Sequence, residues 1–163
     1  MNLSKNSIRE TKKYLEEYKQ GLTTGTDNGV KIITQAMYEA VKANCYANGI
    51  YNHTNNVQMV YDPNTNTGKV MTNDNVIIFN EMGTGVVGKN NPHPKPNDTF
   101  ASWQYDINEH GEKGWYYPKD DGTYGWTKGL PSRHMFYDAF NQIKDKVSDT
   151  IAIEIYKTTK DLY

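Results

Sequence analysis

The chain has 163 residues, a formal net charge of −1 and 36% apolar residues. This length fits one domain, expected to span residues 1–163, that can bury a core without disulfides or metal ions. The near-zero charge argues against a nucleic-acid-binding protein, whose surface would be basic. No apolar run reaches the roughly 18 residues of a membrane helix, and the polar start of the chain does not resemble a signal peptide. We therefore expect a protein made in the cytoplasm, with neither a membrane nor a specific nucleic acid as partner.

Two helices are predicted in the region up to Ala47. Apolar residues recur at helical spacing over residues 4–19 and again over residues 30–47. Gly21 and the run 23–26 predict a break between the two helices, because glycine lowers helix stability. The lone cysteine, Cys45, ends the apolar stripe of the second helix. We expect it to be a small buried side chain and not a catalytic thiol.

The pattern then changes to strands and turns. Residues 57–61 and 69–72 predict a hairpin around the turn residues 62–68. The apolar run Val76–Phe79 predicts a third strand, buried on both faces. The fold class expected is therefore α+β, with a small antiparallel β-sheet packed against two to three helices.

Residues 83–129 are rich in Gly, Pro and Asn, and they predict an extended loop insertion. Within this insertion the sequence Asp120-Asp121-Gly122 lies between two aromatic runs, which is typical of a β-hairpin. Beyond it, Pro131 and Ser132 predict the start of a helix that runs to residue 147, with Ser132 as the cap. Residues 149–163 fit either a helix or a strand, and a continued helix is favoured.

Residues 83–88 formally match the Gly-x-Gly-x-x-Gly fingerprint of dinucleotide-binding proteins and follow a predicted strand. That fingerprint requires a helix whose N-terminus meets the pyrophosphate. Three prolines between positions 92 and 96 argue against such a helix. We therefore predict no cofactor, and interpret Gly83 and Gly85 as positions where the backbone leaves the sheet sharply.

No catalytic or metal-binding residue is predicted. His53, His93, His110 and His134 lack the close spacing of metal ligands. His93 lies between prolines and His110 precedes a glycine, so both are expected to be exposed, and His134 is expected in the first turn of a helix. A metal-dependent hydrolase using His93, His110 and His134 is the weakest alternative, and we predict that the protein is not an enzyme.

An aromatic cluster in the predicted hairpin has two interpretations. Its members are Trp115, Tyr116, Tyr117, Tyr124 and Trp126. They can form a small core that stabilises the hairpin, or contact a partner protein, since Trp and Tyr are enriched at interfaces. They can also stack on sugars or nucleobases. A small glycan- or nucleobase-binding module is therefore the alternative function.

Two segments in fixed order resemble a known family. The first, residues 76–85, ends in Glu81-Met82-Gly83-Thr84-Gly85, and the second, residues 115–140, contains Trp-Tyr-Tyr-Pro, Asp-Asp-Gly and a proline entry into a helix at Pro131 to Phe136. Within about Val30 to Val147 this pair resembles the bacteriophage tail-component family named for gene product ten of a lambda-like coliphage. Met82 replaces an aromatic residue of the family pattern, residues 134–136 replace Arg-Pro-Phe, and the usual entry to the first strand is not recognisable in residues 51–56.

The resemblance implies an α+β structural protein of the virion neck or tail, made in the bacterial host, which completes the tail and joins it to the head. It implies no catalytic residues. The partners implied are copies of the chain itself in a ring, the tail terminator or tail-tube proteins, and the head-completion proteins. The matching residues Glu81, Gly83, Gly85, Pro131 and Phe136 are assigned a structural role at the base of the insertion.

Overall fold

The structure, a computed structural model, describes residues 4–99, 102–119 and 121–162, without the side chains of residues 98 and 99. The α-helices are α1 (Lys5–Ala47), α2 (Asn75–Met82), α3 (Gly85–Asn90), α4 (Pro96–Thr99), α5 (Met135–Ile143) and α6 (Val147–Thr159). The strands are β1 (Val57–Asp62), β2 (Thr67–Thr72), β3 (Trp115–Pro118), β4 (Tyr124–Thr127) and β5 (Gly129–Leu130). Strands β1 and β2 form one antiparallel two-stranded sheet, and β3 and β4 form another. The predicted α+β class is confirmed.

The predicted third strand is wrong, because Val76–Phe79 lie in helix α2. The carboxylate of Asp74 accepts hydrogen bonds from the backbone N–H groups of Val76 and Ile77, at 2.7 and 3.4 Å. Asp74 therefore caps the helix N-terminus, where the first N–H groups have no partner within the helix. The apolar run is buried through Ile77, and Gly83 with φ of +81° ends the helix.

The predicted break near Gly21 is also wrong, because α1 runs unbroken from Lys5 to Ala47. The glycines serve close packing instead. A Cβ on Gly25 would lie 2.5 Å from the Cα of Ile155, and one on Gly29 would lie 2.8 Å from the Cα of Ile151. Helix α6 thus approaches the α1 backbone more closely than any larger residue on α1 would allow.

The chain forms two compact units. The first comprises the described residues within Met1–Glu39, Met59–Val70 and Asn141–Tyr163. In this unit α6 packs antiparallel along α1, and the hydroxyl of Thr158 donates a 2.7 Å hydrogen bond to the carbonyl of Gly21. The prediction of a continued helix after residue 149 is confirmed up to Thr159, with a 3₁₀ turn to Leu162, whereas Tyr163 lies outside the described residues.

The second unit comprises the described residues within Ala40–Gln58 and Met71–Phe140. Its core contains seven buried apolar side chains, namely Val41, Cys45, Val57, Ile77, Met82, Met135 and Ala139. The prediction that Cys45 is buried is therefore confirmed. The helix expected from Ser132 begins only at Met135, and Ser132 does not cap it: its hydroxyl donates to the carbonyl of Glu81 instead.

Candidate functional site

Glu81 is the central polar residue of the second unit. Its side chain is buried, and its two carboxylate oxygens accept hydrogen bonds from the backbone N–H groups of Phe136 at 2.8 Å and Tyr137 at 3.1 Å. Both N–H groups belong to the first turn of α5, where they have no partner within the helix and where the helix dipole favours negative charge. Glu81 thus caps α5 from a distant part of the sequence.

His93 completes the hydrogen bonding of Glu81. Its Nδ1 lies 3.0 Å from the backbone nitrogen of Lys95, which can only donate, so Nδ1 accepts. The proton of the neutral ring is then on Nε2, which donates to Glu81 Oε1 at 3.2 Å. The rings of Tyr137 and His134 pack edge-on against His93, with centroids 5.4 and 5.8 Å away. The expectation that His93 is exposed was wrong, since only 1% of it is accessible.

Gly83 and Gly85 allow the chain after α2 to contact the chain before α5. Gly85 has φ of +62°, and a Cβ on it would lie 2.2 Å from the carbonyl oxygen of Lys128. Antiparallel bridges pair Thr84 with Leu130 and Gly85 with Gly129. The predicted need for glycine here is confirmed, but these residues leave a helix and not a strand.

The expectation that the prolines exclude a helix beside the fingerprint is wrong. Helix α3 begins at Gly85 and ends at Asn90, before the prolines. The fingerprint nevertheless follows helix α2, whereas the dinucleotide motif follows a strand. The strand–turn–helix context of that motif is therefore not formed at residues 83–88.

The two segments that carry the family resemblance are thus in direct contact. Besides the bonds of Glu81, the backbone N–H of Arg133 donates to the carbonyl of Asn80 at 2.7 Å. Pro131 and Phe136 also belong to the family pattern, and both are half-buried. Pro131 precedes α5, and Phe136 lies in its first turn. His134, expected in the first helical turn, instead precedes α5 with φ of +50°.

The predicted aromatic hairpin is confirmed as β3 and β4. Trp115 pairs with Thr127, Tyr116 with Trp126, Tyr117 with Gly125, and Pro118 with Tyr124. Side chains of directly paired residues lie on the same face, and successive residues alternate between faces. The register therefore separates the five aromatic residues into two groups.

One face holds the hairpin together. Trp115 packs on His110 with ring centroids 4.9 Å apart, and a Cβ on Gly125 would lie 2.7 Å from Cζ of Tyr117. The other face presents Tyr116, Tyr124 and Trp126, of which 72%, 70% and 52% are accessible. The small-core interpretation thus fits Trp115 and Tyr117, whereas the rings of Tyr116, Tyr124 and Trp126 are accessible to solvent.

The turn of the hairpin is stabilised locally. The backbone N–H of Lys119 donates to the carbonyl of Thr123 at 2.8 Å. The hydroxyl and the backbone N–H of Thr123 donate to Asp121, and these bonds hold the pKa of that carboxyl below its ordinary value. Asp120, the other predicted turn acid, lies outside the described residues.

A cleft of about 720 Å³ lies beside the hairpin, within the second unit. The cleft is also lined by three aromatic residues outside the hairpin, Phe79, Trp103 and Tyr105. Their role in a cleft was not predicted, because they come from a helix and a loop without a periodic pattern. The indole N–H of Trp103 donates to the carbonyl of Gly83 at 3.1 Å, so the cleft lies next to the segment Glu81–Gly85. Gln104 and Asn108 add amide groups to the lining.

The remaining histidines have acidic or aromatic neighbours. His110 is half-buried and lies 3.4 Å from Asp106, whose carboxyl pKa is lowered chiefly by the backbone N–H of Gly111. His53 Nδ1 lies 2.8 Å from Asp74. Among the described residues, no group of three or more His, Cys, Asp or Glu side chains could hold a metal ion.

The thiol of Cys45 has a raised pKa. Burial is the main cause, the charges of Glu81 and Asp74 add to it, and together they raise the pKa to about 11. A thiol with such a pKa remains protonated near neutral pH, and the thiolate is the reactive form.

No family model, curated protein or solved structure matches this chain. In the described parts of the chain, no helix has both the length and the apolar character needed to cross a membrane.

Proposed function

We propose that this chain is a structural protein of the neck or tail of a long-tailed bacteriophage, which completes the tail and joins it to the head without catalysing a reaction. The observation that carries the proposal is the contact between the two matched segments, made through Glu81, Ser132 and Phe136. Glu81 of the first segment and Ser132 and Phe136 of the second, which carry part of the resemblance, contact one another in the fold.

The exposed aromatic face of the hairpin is the joining surface in this proposal. Tyr116, Tyr124 and Trp126 offer large side chains with polar edges, the composition typical of residues that dominate binding energy at interfaces. Trp115 and the bridges at Gly85 fix the base of the hairpin to the second unit. The surface is therefore held in place before a partner binds, which lowers the entropy cost of binding.

The partners in this proposal are copies of the chain in a ring and different proteins above and below it. Head-to-tail contacts between identical subunits close into rings when the rotation permits. The tail terminator or tail-tube proteins and the head-completion proteins would occupy the two ends, and the protein would act in the virion after synthesis in the host cytoplasm.

Complementation of a phage that lacks the gene tests the joining surface. The double variant Tyr116→Ser, Tyr124→Ser should fold normally, because both side chains are mostly exposed, yet it should yield heads and tails that remain unjoined. The matched control is Tyr156→Ser on α6, an exposed tyrosine outside the hairpin. Full infectivity of the double variant would rule out the hairpin face as the joining surface.

The aromatic cleft favours one second candidate, a glycan- or nucleobase-binding module. Trp103, Tyr105 and Trp115 can stack on a ring while Gln104 and Asn108 bind hydroxyl or amide groups. A glycan array and nucleoside titrations followed by tryptophan fluorescence test this candidate. Saturable binding that Tyr105→Ala abolishes would support it, and no binding to either ligand class would eliminate it.

A further inference from the structure

The first part of helix α1, residues 5–19, is here named the basic arm. The apolar side chains of Ile8, Tyr14 and Leu15 are exposed on this arm, and Leu15 is the most exposed of the three at 57%. All side chains of the arm are exposed except Ser7 and Tyr18, which are half-buried. A stripe of apolar side chains at helical spacing is typical of a helix that packs against another surface.

The stripe continues the face of α1 that α6 already covers. Tyr18 lies seven residues before Gly25 and Tyr14 lies eleven before it, and both separations are close to whole helical turns. Gly25 contacts Ile155 of α6, and α6 reaches its end at Thr159, which contacts Gly21. The rings of Tyr14 and Tyr18 stack just beyond that point, with centroids 6.2 Å apart. A helix bound to the arm would therefore extend the packing that α6 begins.

The lysines beside the apolar stripe indicate which charge a partner would carry. In a seven-residue repeat along α1, one core position is occupied by Ile8, Leu15 and Leu22. One position that flanks this core is then occupied by Lys5, Lys12 and Lys19. None of the three lysines forms an ion pair within the described part of the chain, whereas Lys13, on the far side, pairs with Glu17 at 3.5 Å. The border of the stripe is thus a line of three lysines, with Glu16 four residues after Lys12 and three before Lys19 in sequence.

This line argues against pairing between two copies of the arm. In an antiparallel pair the lysine border of one arm would face the lysine border of the other, and like charges across an interface oppose binding. In a parallel pair the lysines would face the heptad position of Ser7 and Tyr14, which offers no opposite charge. A partner helix with carboxylates along one side of an apolar stripe would contact the apolar side chains of the arm and pair with its lysines.

We propose that the basic arm docks an amphipathic helix with an acidic border from a different protein. The apolar stripe supplies the contact area, and the three lysines fix the register and select against basic partners. This inference depends on α1 alone and not on the aromatic hairpin, so it can fail while the proposed function stands.

The test uses the full chain and two synthetic helices of about three heptads, both with leucine at the core positions. One carries glutamate at every flanking position and the other carries lysine. Each peptide bears a fluorophore, and binding is measured by anisotropy at two salt concentrations. The variants are Lys12→Glu with Lys19→Glu, and Leu15→Ser. The matched control, Arg9→Glu with Lys13→Glu, makes the same charge change on the outer side of the arm, and circular dichroism verifies the helicity of every variant.

We expect the glutamate peptide to bind, the lysine peptide not to bind, and added salt to weaken binding. The Lys12, Lys19 variant and the Leu15 variant should each weaken it at least tenfold, and the control should change it less than threefold. Equal binding of both peptides, or equal losses in variant and control, would overturn the proposal. So would self-association that Leu15→Ser abolishes, which would make a second copy the occupant. Binding to phosphatidylserine vesicles without binding to the glutamate peptide would overturn it in favour of a membrane surface.

Discussion

The buried carboxylate of Glu81 lies 2.8 Å from the backbone nitrogen of Phe136, across 55 positions of sequence. This contact caps helix α5 from outside its own segment and joins the two parts of the chain that carry the family resemblance. The same carboxylate accepts from Tyr137 and His93, so three N–H donors converge on one acidic group. These bonds join α2 and α5, the helices on either side of the hairpin insertion.

The variant Glu81→Gln is expected to lower the free energy of unfolding by about 2–3 kcal/mol. Hydrogen bonds to charged groups contribute about 1.5–3 kcal/mol, and the new amide N–H₂ would face donors and lack an acceptor. Urea unfolding measures the change. The control Glu112→Gln removes an exposed carboxylate paired with Lys128 and should cost less than about 1 kcal/mol. Equal losses in both variants would contradict the capping role of Glu81.

The variant Gly25→Ala tests the close packing of α1 and α6. In an exposed helix interior this change would stabilise by about 1 kcal/mol. Here the added methyl would lie 2.5 Å from the Cα of Ile155, so the helices must separate and the variant should be less stable than the wild type. Thermal unfolding gives the sign directly, with Thr23→Ala as the exposed control on the same helix. A more stable Gly25→Ala protein would show that α6 does not pack there.

The acid capping α2 predicts a pH dependence. Burial raises the pKa of Asp74, but hydrogen bonds from His53, Asn56 and the backbone of Val76 outweigh it, so the folded pKa lies below 3.8. A lowered folded pKa means that the stabilisation is present above the unfolded pKa and is lost as the pH falls through the folded one. The variant Asp74→Ala should lose about 1 kcal/mol at neutral pH.

Urea unfolding of this variant at a series of acidic pH values provides the measurement. The difference from the wild type should shrink as the pH falls below about 4, because the wild-type carboxylate takes up a proton and loses its charge as the pH passes through the lowered folded pKa. Asp161→Ala, which changes an exposed acid in the 3₁₀ turn Lys160–Leu162, serves as control. A difference that stays constant from neutral to acidic pH would show that the carboxylate charge does not contribute to the cap.

The hairpin could be predicted because its signals are local. An Asp-Gly turn between aromatic runs specifies the strands and their pairing without reference to the rest of the chain. The alternation of β3 and β4 then determines which aromatic residues share a face. What the sequence did not reveal is that Trp115 packs on His110, because that contact depends on how the preceding loop folds.

Helix α2 was mistaken for a strand because a short apolar run carries no periodicity that separates the two. Its best signals were the flanking residues, with Asp74 as an N-cap and Gly83 as a stop. The break predicted in α1 was wrong because glycine disfavours only an isolated helix. In the folded chain the packing of α6 on Gly25 compensates for that cost. The burial of His93 could not be foreseen, since its acceptor Glu81 lies 12 residues away in another element.

Deletion of the gene from a phage genome that carries it, followed by electron microscopy of the lysate, tests whether the chain is an architectural part of the virion. We expect filled heads and separate tails, or tails with defective ends, and restoration of joined particles by the wild-type chain supplied from a plasmid. Normal, infectious particles from the deletion would show that the chain neither completes the tail nor joins it to the head.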